Sequence, residues 1–217
     1  MFDAATARRW MVEGQVRTAD VTDAGVIDAM LSLPRERFLP PALRELAYVD
    51  SDIPIAENRA LLKPMVLAKL IQAAQVRSTD RVLDVGCGTG YSAAVLARLA
   101  DSVVALEEDA ELARQAKDAL AAVGAAEVEV VVGPLTGGRP ERGPYDVILL
   151  NGATEVAPEA LGRQLKPDGR LLCVYGRSAA TKAMIYHVIE GHLVGRPIFD
   201  ATARLLPGFT VPPAFVF

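Results

Sequence analysis

Cysteine and histidine are scarce in this chain, with two of each. Cys87 and Cys173 form no C-x-x-C pair, and His187 and His192 have no metal-ligand spacing with them, so no metal site is expected. Two isolated thiols fit a reducing compartment. Basic charge is lacking too. The formal net charge is −4, and the one short basic cluster, Arg8-Arg9, reads as a solvated helix face rather than a nucleic-acid footprint. The opening "MFDAATARRWMVEG" has no apolar run of signal-peptide type, and no stretch reaches the roughly 18 apolar residues of a membrane span. These absences predict a cytoplasmic protein with no nucleic-acid partner and no membrane contact. Internal repeats and low-complexity linkers are also missing.

What is present is apolar: 51% of the 217 residues, enough for a sizeable core in a single domain. Three parts are expected: N-terminal helices over 1–52, a loop over 53–64, and an α/β core over 65–217. Residues 4–17 read as a helix carrying Trp10, which is expected to pack. Thr22 or Asp23 caps a second helix, which "SLPRERFLPP" ends, and "PALRELAY" reads as a short helix or turn. Pro64 suits the first turn of a helix over "MVLAKLIQAAQV". From residue 80, strands and helices alternate: "RVLDVG", "YSAAVLARLA", "SVVALE", "DAELARQAKDALAAVG", "AEVEVVVG", "YDVILLNGA", "APEALGRQL" and "GRLLCVYG". Such alternation predicts a parallel sheet with helices on its faces. "TKAMIYHVIE" and "LVGRPIF", around Gly191-His192, read as a hairpin that adds an antiparallel edge.

The loop "DVGCGTGYSA" follows the first core strand and opens a helix. Gly86, Gly88 and Gly90 let the chain turn tightly and approach a ligand without a Cβ in the way. The loop falls at the carboxyl ends of parallel strands, where open α/β sheets bind ligands. It is not the dinucleotide fingerprint G-x-G-x-x-G, because Tyr91 stands where that pattern wants glycine, and this argues against a dehydrogenase. Asp84 would repel a pyrophosphate but suits a cationic amino group. S-adenosylmethionine has an ammonium and a sulfonium and no phosphate. Glu107, at the end of the next strand, is placed to accept ribose hydroxyls. Cys87 is a small residue tolerated inside the loop. Asn151, after "YDVILL", either faces cofactor or acceptor or caps a turn.

The runs "MVEGQVR" and "LPRERF" with "AY.D..IPI", then "VLDVGCGTGYSAAVLA", "YDVILLNGATEVAPEAL" and "LKPDGRLLCVYG", together resemble the protein-L-isoaspartate O-methyltransferase family over nearly the whole chain. The resemblance implies a three-layer α-β-α, Rossmann-like class I methyltransferase fold. Its sheet would have seven mostly parallel strands, an antiparallel C-terminal edge and added N-terminal helices. It also implies transfer of a methyl group from S-adenosylmethionine to the carboxylate of L-isoaspartyl residues in damaged proteins or peptides. That carboxylate is ionised at neutral pH, so positioning outweighs base catalysis, and no catalytic residue is assigned.

The acceptor side departs from the pattern. Family members carry a Gly-Gln-Thr-Ile-Ser-x-Pro-like loop, and aligning "IPIAENRALLKP" on Pro64 puts Leu62 at the serine and Ala60 at the threonine. Gly133-Pro134 replaces a Gly-Asp whose acid lies near adenine, leaving backbone groups and apolar walls to hold the base. Three readings stay open. One is an isoaspartyl methyltransferase in which Arg59 or Lys63 grips the carboxylate. The second is a methyltransferase of the same fold with another acceptor, and the third a non-catalytic relative.

Overall fold

The computed structural model describes residues 3–176 and 180–211. Helix α1 (Ala4–Met11) starts at Asp3, whose carboxylate accepts the N–H groups of Ala5 and Thr6. The helical path continues as a wider π turn over Val12–Val16 and a 3-10 turn over Arg17–Ala19. Helix α2 (Ala24–Ser32) is capped by Asp23, which accepts from the Val26 N–H at 2.9 Å. Two sequence expectations fail here. Trp10 is 71% exposed, while its neighbours Met11 and Val12 turn inward. Arg8 is no free surface charge: it donates to the Tyr48 hydroxyl at 3.1 Å and lies 3.6 Å from Glu36.

The stretch expected to be a loop is a β-hairpin. Strands β1 (Ile53–Ala56) and β2 (Arg59–Leu61) pair antiparallel, with Ile53 opposite Leu61. Asn58 in the turn has φ 55°, a left-handed conformation that asparagine tolerates. The base of the hairpin is pinned on both sides. Asp52 accepts the Lys63 N–H at 2.8 Å. Arg35, fully buried, donates from Nε to the Ala47 carbonyl at 2.7 Å and from Nη2 to the Leu62 carbonyl at 2.6 Å. Its guanidinium also lies 4.6 Å from the centre of the Tyr91 ring. The motifs "LPRERF" and "AYVD" therefore work as brackets that hold the hairpin. Pro64 opens helix α3 (Pro64–Ala74) as expected.

The core follows in order: β3 (Arg81–Val85), α4 (Tyr91–Ala97), β4 (Ser102–Glu107), α5 (Ala110–Ala122), β5 (Glu129–Val132), β6 (Tyr145–Thr154), α6 (Glu159–Gly162), β7 (Leu165–Tyr175), β8 (Lys182–Ile189) and β9 (His192–Asp200). The seven strands lie in the order β5-β4-β3-β6-β7-β8-β9. The first five are mutually parallel, and β8 and β9 add the antiparallel edge. Side-chain alternation splits the core in two. Val82 faces one apolar cluster, shared with α1 to α5, while Leu83 and Val85 face the other. The second face is thinly covered. Helix α6 has four residues, fewer than expected, and stops at Gly162, a poor helix former that packs on Leu193.

After β9 the chain does something no local pattern announced. It returns to the carboxyl edge of the sheet, where the Ala153 N–H donates to the Arg204 carbonyl at 2.7 Å and the Leu206 N–H to the Ala153 carbonyl at 2.9 Å. Among the described residues, no helix is long and apolar enough to cross a membrane.

Replacing Arg35 by Met keeps volume but strands two buried carbonyls. Arg35→Met is expected to lower unfolding stability by about 2–4 kcal/mol, read by urea denaturation. An unchanged midpoint would show that Arg35 does not hold the hairpin base.

Candidate active site

Strand β3 lies between β4 and β6, so chain order reverses on either side of it, and the region beyond its carboxyl end is where open α/β sheets bind ligands. The glycine loop leaves β3 there. Its course is fixed by N–H groups of Gly86 and Cys87 donating to the Leu106 carbonyl at 2.8 and 3.2 Å. Gly86 and Gly88 have φ of 72° and 58° and need the freedom glycine gives. The Thr89 hydroxyl donates to the Phe38 carbonyl at 2.6 Å, tying the loop to the N-terminal segment. Cys87 is buried, and burial first, then the nearby Asp84 and Glu107 carboxylates, pushes its thiol well up. Burial and the raised thiol both disfavour the thiolate that a nucleophile needs.

Parity places Asp84 and Asn151. Asp84 shares the face of Val82 on β3, and Asn151 shares the face of Leu149 on β6, so the two meet across adjacent strands. Asn151 Nδ2 donates to Asp84 Oδ1 at 2.6 Å, and the Ser92 hydroxyl donates to Oδ2 at 2.6 Å. The Asn151 amide also reaches Ser92 Oγ. Both Asp84 oxygens are therefore engaged, and the group is fully buried. Burial, opposed by these two hydrogen bonds and aided by Glu107, pushes its carboxyl up to about 7.

Glu107 is solved differently. Its carboxylate, also fully buried, accepts the N–H of Gly88 at 2.7 Å, of Glu108 at 3.0 Å and of Asp109 at 3.2 Å. Arg59 completes it with a fork, Nη1 to Oε1 at 2.5 Å and Nη2 to Oε2 at 2.7 Å. The same Nη2 donates to the Gly86 carbonyl at 2.7 Å. Arg59, considered from sequence as an acceptor-side cation, thus lies buried against Glu107, the acid read from sequence as the ribose ligand. Ile55 stands over Gly88, with Cδ1 2.7 Å from where a Cβ would sit.

The remaining candidates separate from this cluster. Leu62 is buried in the core. Lys63 lines a cavity of about 420 Å³ with Thr181, Lys182, Asp200 and Thr202. The Gly133-Pro134 segment runs on into Leu135, and Leu135 and Leu206 flank Gly86. A separate cavity of about 390 Å³, between α5 and residues 37–44, touches the loop at Thr89. The donor set fits a nucleoside: a strand-end carboxylate, close-approach glycines, and apolar walls from Leu135 and Leu206. Sequence reasoning missed Ser92, Ile55 and Leu206. Only Ser92 carried a signal, its place two residues after the last loop glycine. Among the described residues, no group of three or more His, Cys, Asp or Glu is placed to hold a metal.

The chain has relatives among known proteins. The profile of the protein-L-isoaspartate(D-aspartate) O-methyltransferase family matches residues 8–195. A protein-L-isoaspartate O-methyltransferase of Methylorubrum extorquens is 45% identical over 174 residues, covering 80% of this chain and 76% of the relative. One from Methanoculleus marisnigri is 40% identical over 169 residues, covering 78% and 77%. A solved protein-L-isoaspartate O-methyltransferase superposes with TM-score 0.80 at 27% identity, over 93% of this chain and 66% of the other. A putative Plasmodium falciparum protein of that description, solved with S-adenosyl-L-homocysteine, shares the fold with TM-score 0.79 at 17% identity, covering 95% and 99%.

The raised Asp84 carboxyl carries a pH signature. Between its unfolded value of 3.8 and about 7, the folded state holds a proton that the unfolded chain has lost. Its contribution to stability is thus complete below the unfolded value and is lost as pH rises through about 7. Measured by urea unfolding from pH 5 to 8, the wild type should lose stability relative to Asp84→Asn as pH rises. Parallel curves for the two proteins would refute the shift.

Proposed function

This chain belongs to the protein-L-isoaspartate(D-aspartate) O-methyltransferase family, and we propose that the crevice beyond β3, under the 53–61 hairpin, is where it methylates L-isoaspartyl residues of damaged proteins and peptides. It is an S-adenosylmethionine-dependent methyltransferase. The observation that carries the site assignment is the Glu107 carboxylate, set at the end of β4 and oriented by the Gly88 N–H. In this reading Glu107 receives the ribose hydroxyls. The backbone of Gly86, Cys87, Gly88 and Gly90 admits the nucleoside closely. Asp84, steered by Asn151 and Ser92, answers the cationic amino-acid end. Leu135 and Leu206 wall the base, a role that fits the absence of a carboxylate at Pro134.

When bound, S-adenosylmethionine supplies a methyl group on a sulfonium, a good leaving group for transfer to a carboxylate oxygen. The chain has little else to do chemically, because the acceptor, with a pKa of about 4, is already ionised at neutral pH. Its task is to hold that oxygen in line and to exclude water. With Leu62 buried and Ala60 lacking a hydroxyl, an ammonium takes the place of the hydroxyls. We assign that role to Lys63, the cation at the mouth of α3, which opens onto the cavity with Thr181 and Thr202. Two free, buried cysteines are in keeping with a reducing, cytoplasmic setting.

A labelled-methyl assay with an isoaspartyl peptide and its normal-aspartyl twin tests the activity. Incorporation into the isoaspartyl peptide alone is expected. Equal, background-level incorporation into both would reject the acceptor and favour another substrate or a non-catalytic role. Lys63→Ala is expected to raise KM for the isoaspartyl peptide about tenfold with little change in kcat, the signature of lost ground-state binding. An unchanged KM would remove Lys63 from the acceptor site.

A further inference from the structure

Arg59 occupies the acid that a ribose needs. Glu107 Oε1 accepts from Arg59, Glu108 and Asp109, and Oε2 accepts from Arg59 and Gly88. A carboxylate offers about four lone-pair sites, so this one is already saturated. A ribose diol must donate to the same oxygens, and it can do so only where the Arg59 fork has left. The rest of the hairpin reinforces the block. Ile55 closes over Gly88, and Arg59 Nη2 lies 3.2 Å from where a Cβ on Gly86 would be. Two of the three loop glycines, whose bare backbone is the approach route for a ligand, are thus covered by residues of one short hairpin. Charge acts in the same direction. The guanidinium is a buried cation, 5% exposed, in a crevice whose cofactor brings a sulfonium and an ammonium.

We propose that Arg59 is a tethered competitor of the cofactor, so that S-adenosylmethionine binds by displacing the Arg59 fork from Glu107 and lifting the hairpin tip, residues 55–59, off the glycine loop while Ile53 and Leu61 stay in the core. Arg59 thereby sets cofactor affinity, and the cofactor must enter before the acceptor side is assembled. This inference rests on the cofactor site proposed above. It assigns to Arg59 a positioning role distinct from gripping the acceptor.

Calorimetric titration with S-adenosyl-L-homocysteine tests it on the wild type, Arg59→Gln and Ile55→Ala, with ligand-free urea unfolding run on each. Arg59→Gln should bind about tenfold tighter or more, because the affinity penalty of a mostly closed site is removed, while its ligand-free unfolding midpoint falls. A purely structural Arg59 would lower the midpoint without tightening binding. Ile55→Ala loosens the cover without touching Glu107 and should shift affinity in the same direction; it decides the matter if Arg59→Gln does not fold. A silent wild type alongside a binding Arg59→Gln also supports the competition. Equal or weaker binding by Arg59→Gln overturns it and leaves the methyltransferase assignment standing. No binding by any of the three proteins overturns both.

Discussion

Two carboxylates, Asp84 and Glu107, are buried on adjacent parallel strands, and the surrounding structure is arranged to supply them with hydrogen-bond donors. An uncompensated buried charge is among the costliest features a fold can carry. The two groups meet that constraint in different ways. Asp84 is met by neutral partners, a hydroxyl and an amide, and responds by holding its proton more tightly. Glu107 is met by three backbone N–H groups and a guanidinium, the partners a fixed anion requires. The glycine loop follows from the same need. A bulkier backbone could not bring the Gly88 N–H to Glu107 while leaving an approach to the crevice. The hairpin follows as well, since its arginine completes the Glu107 shell.

The core sheet was legible in the sequence because each strand is a short apolar run followed by an amphipathic helix, and parallel crossovers leave few alternative topologies. The antiparallel edge was legible to within one residue: the turn uses Glu190-Gly191, with φ of 51° and 81°, rather than Gly191-His192. Other elements carried no periodic signal. Strands β1 and β2 are four and three residues long, and Pro54 masks the first. The segment returning along β6 is placed by backbone pairing with Ala153, which side-chain pattern does not encode. Trp10 misled because it sits at helical spacing next to residues that are buried.

Within the site, what was local was readable. Asp84, the loop glycines and Glu107 lie in one strand–loop–helix–strand stretch whose chemistry is written in order. Arg59 was readable as a charge with a task but not as the partner of Glu107, 48 residues away. Nothing local announces a pairing across that separation. The apolar departure at Leu62 has a structural account: the side chain is part of the core, and its carbonyl is held by Arg35, so the position serves packing as well as any acceptor.

Arg35 also defines a mechanical boundary. It fixes the carbonyls of Ala47 and Leu62, and the Asp52–Lys63 bond closes the gap between them, so both feet of the hairpin stand on one rigid base. What lies beyond that base is a short lever, with a strand of about 13 Å at ~3.3 Å per residue. If the hairpin opens as proposed, a lever this short keeps its tip within reach of Glu107, and reclosure becomes a local swing with no diffusional search. Arg35, two steps removed from Glu107, would then govern how the site resets by holding the base from which the hairpin swings.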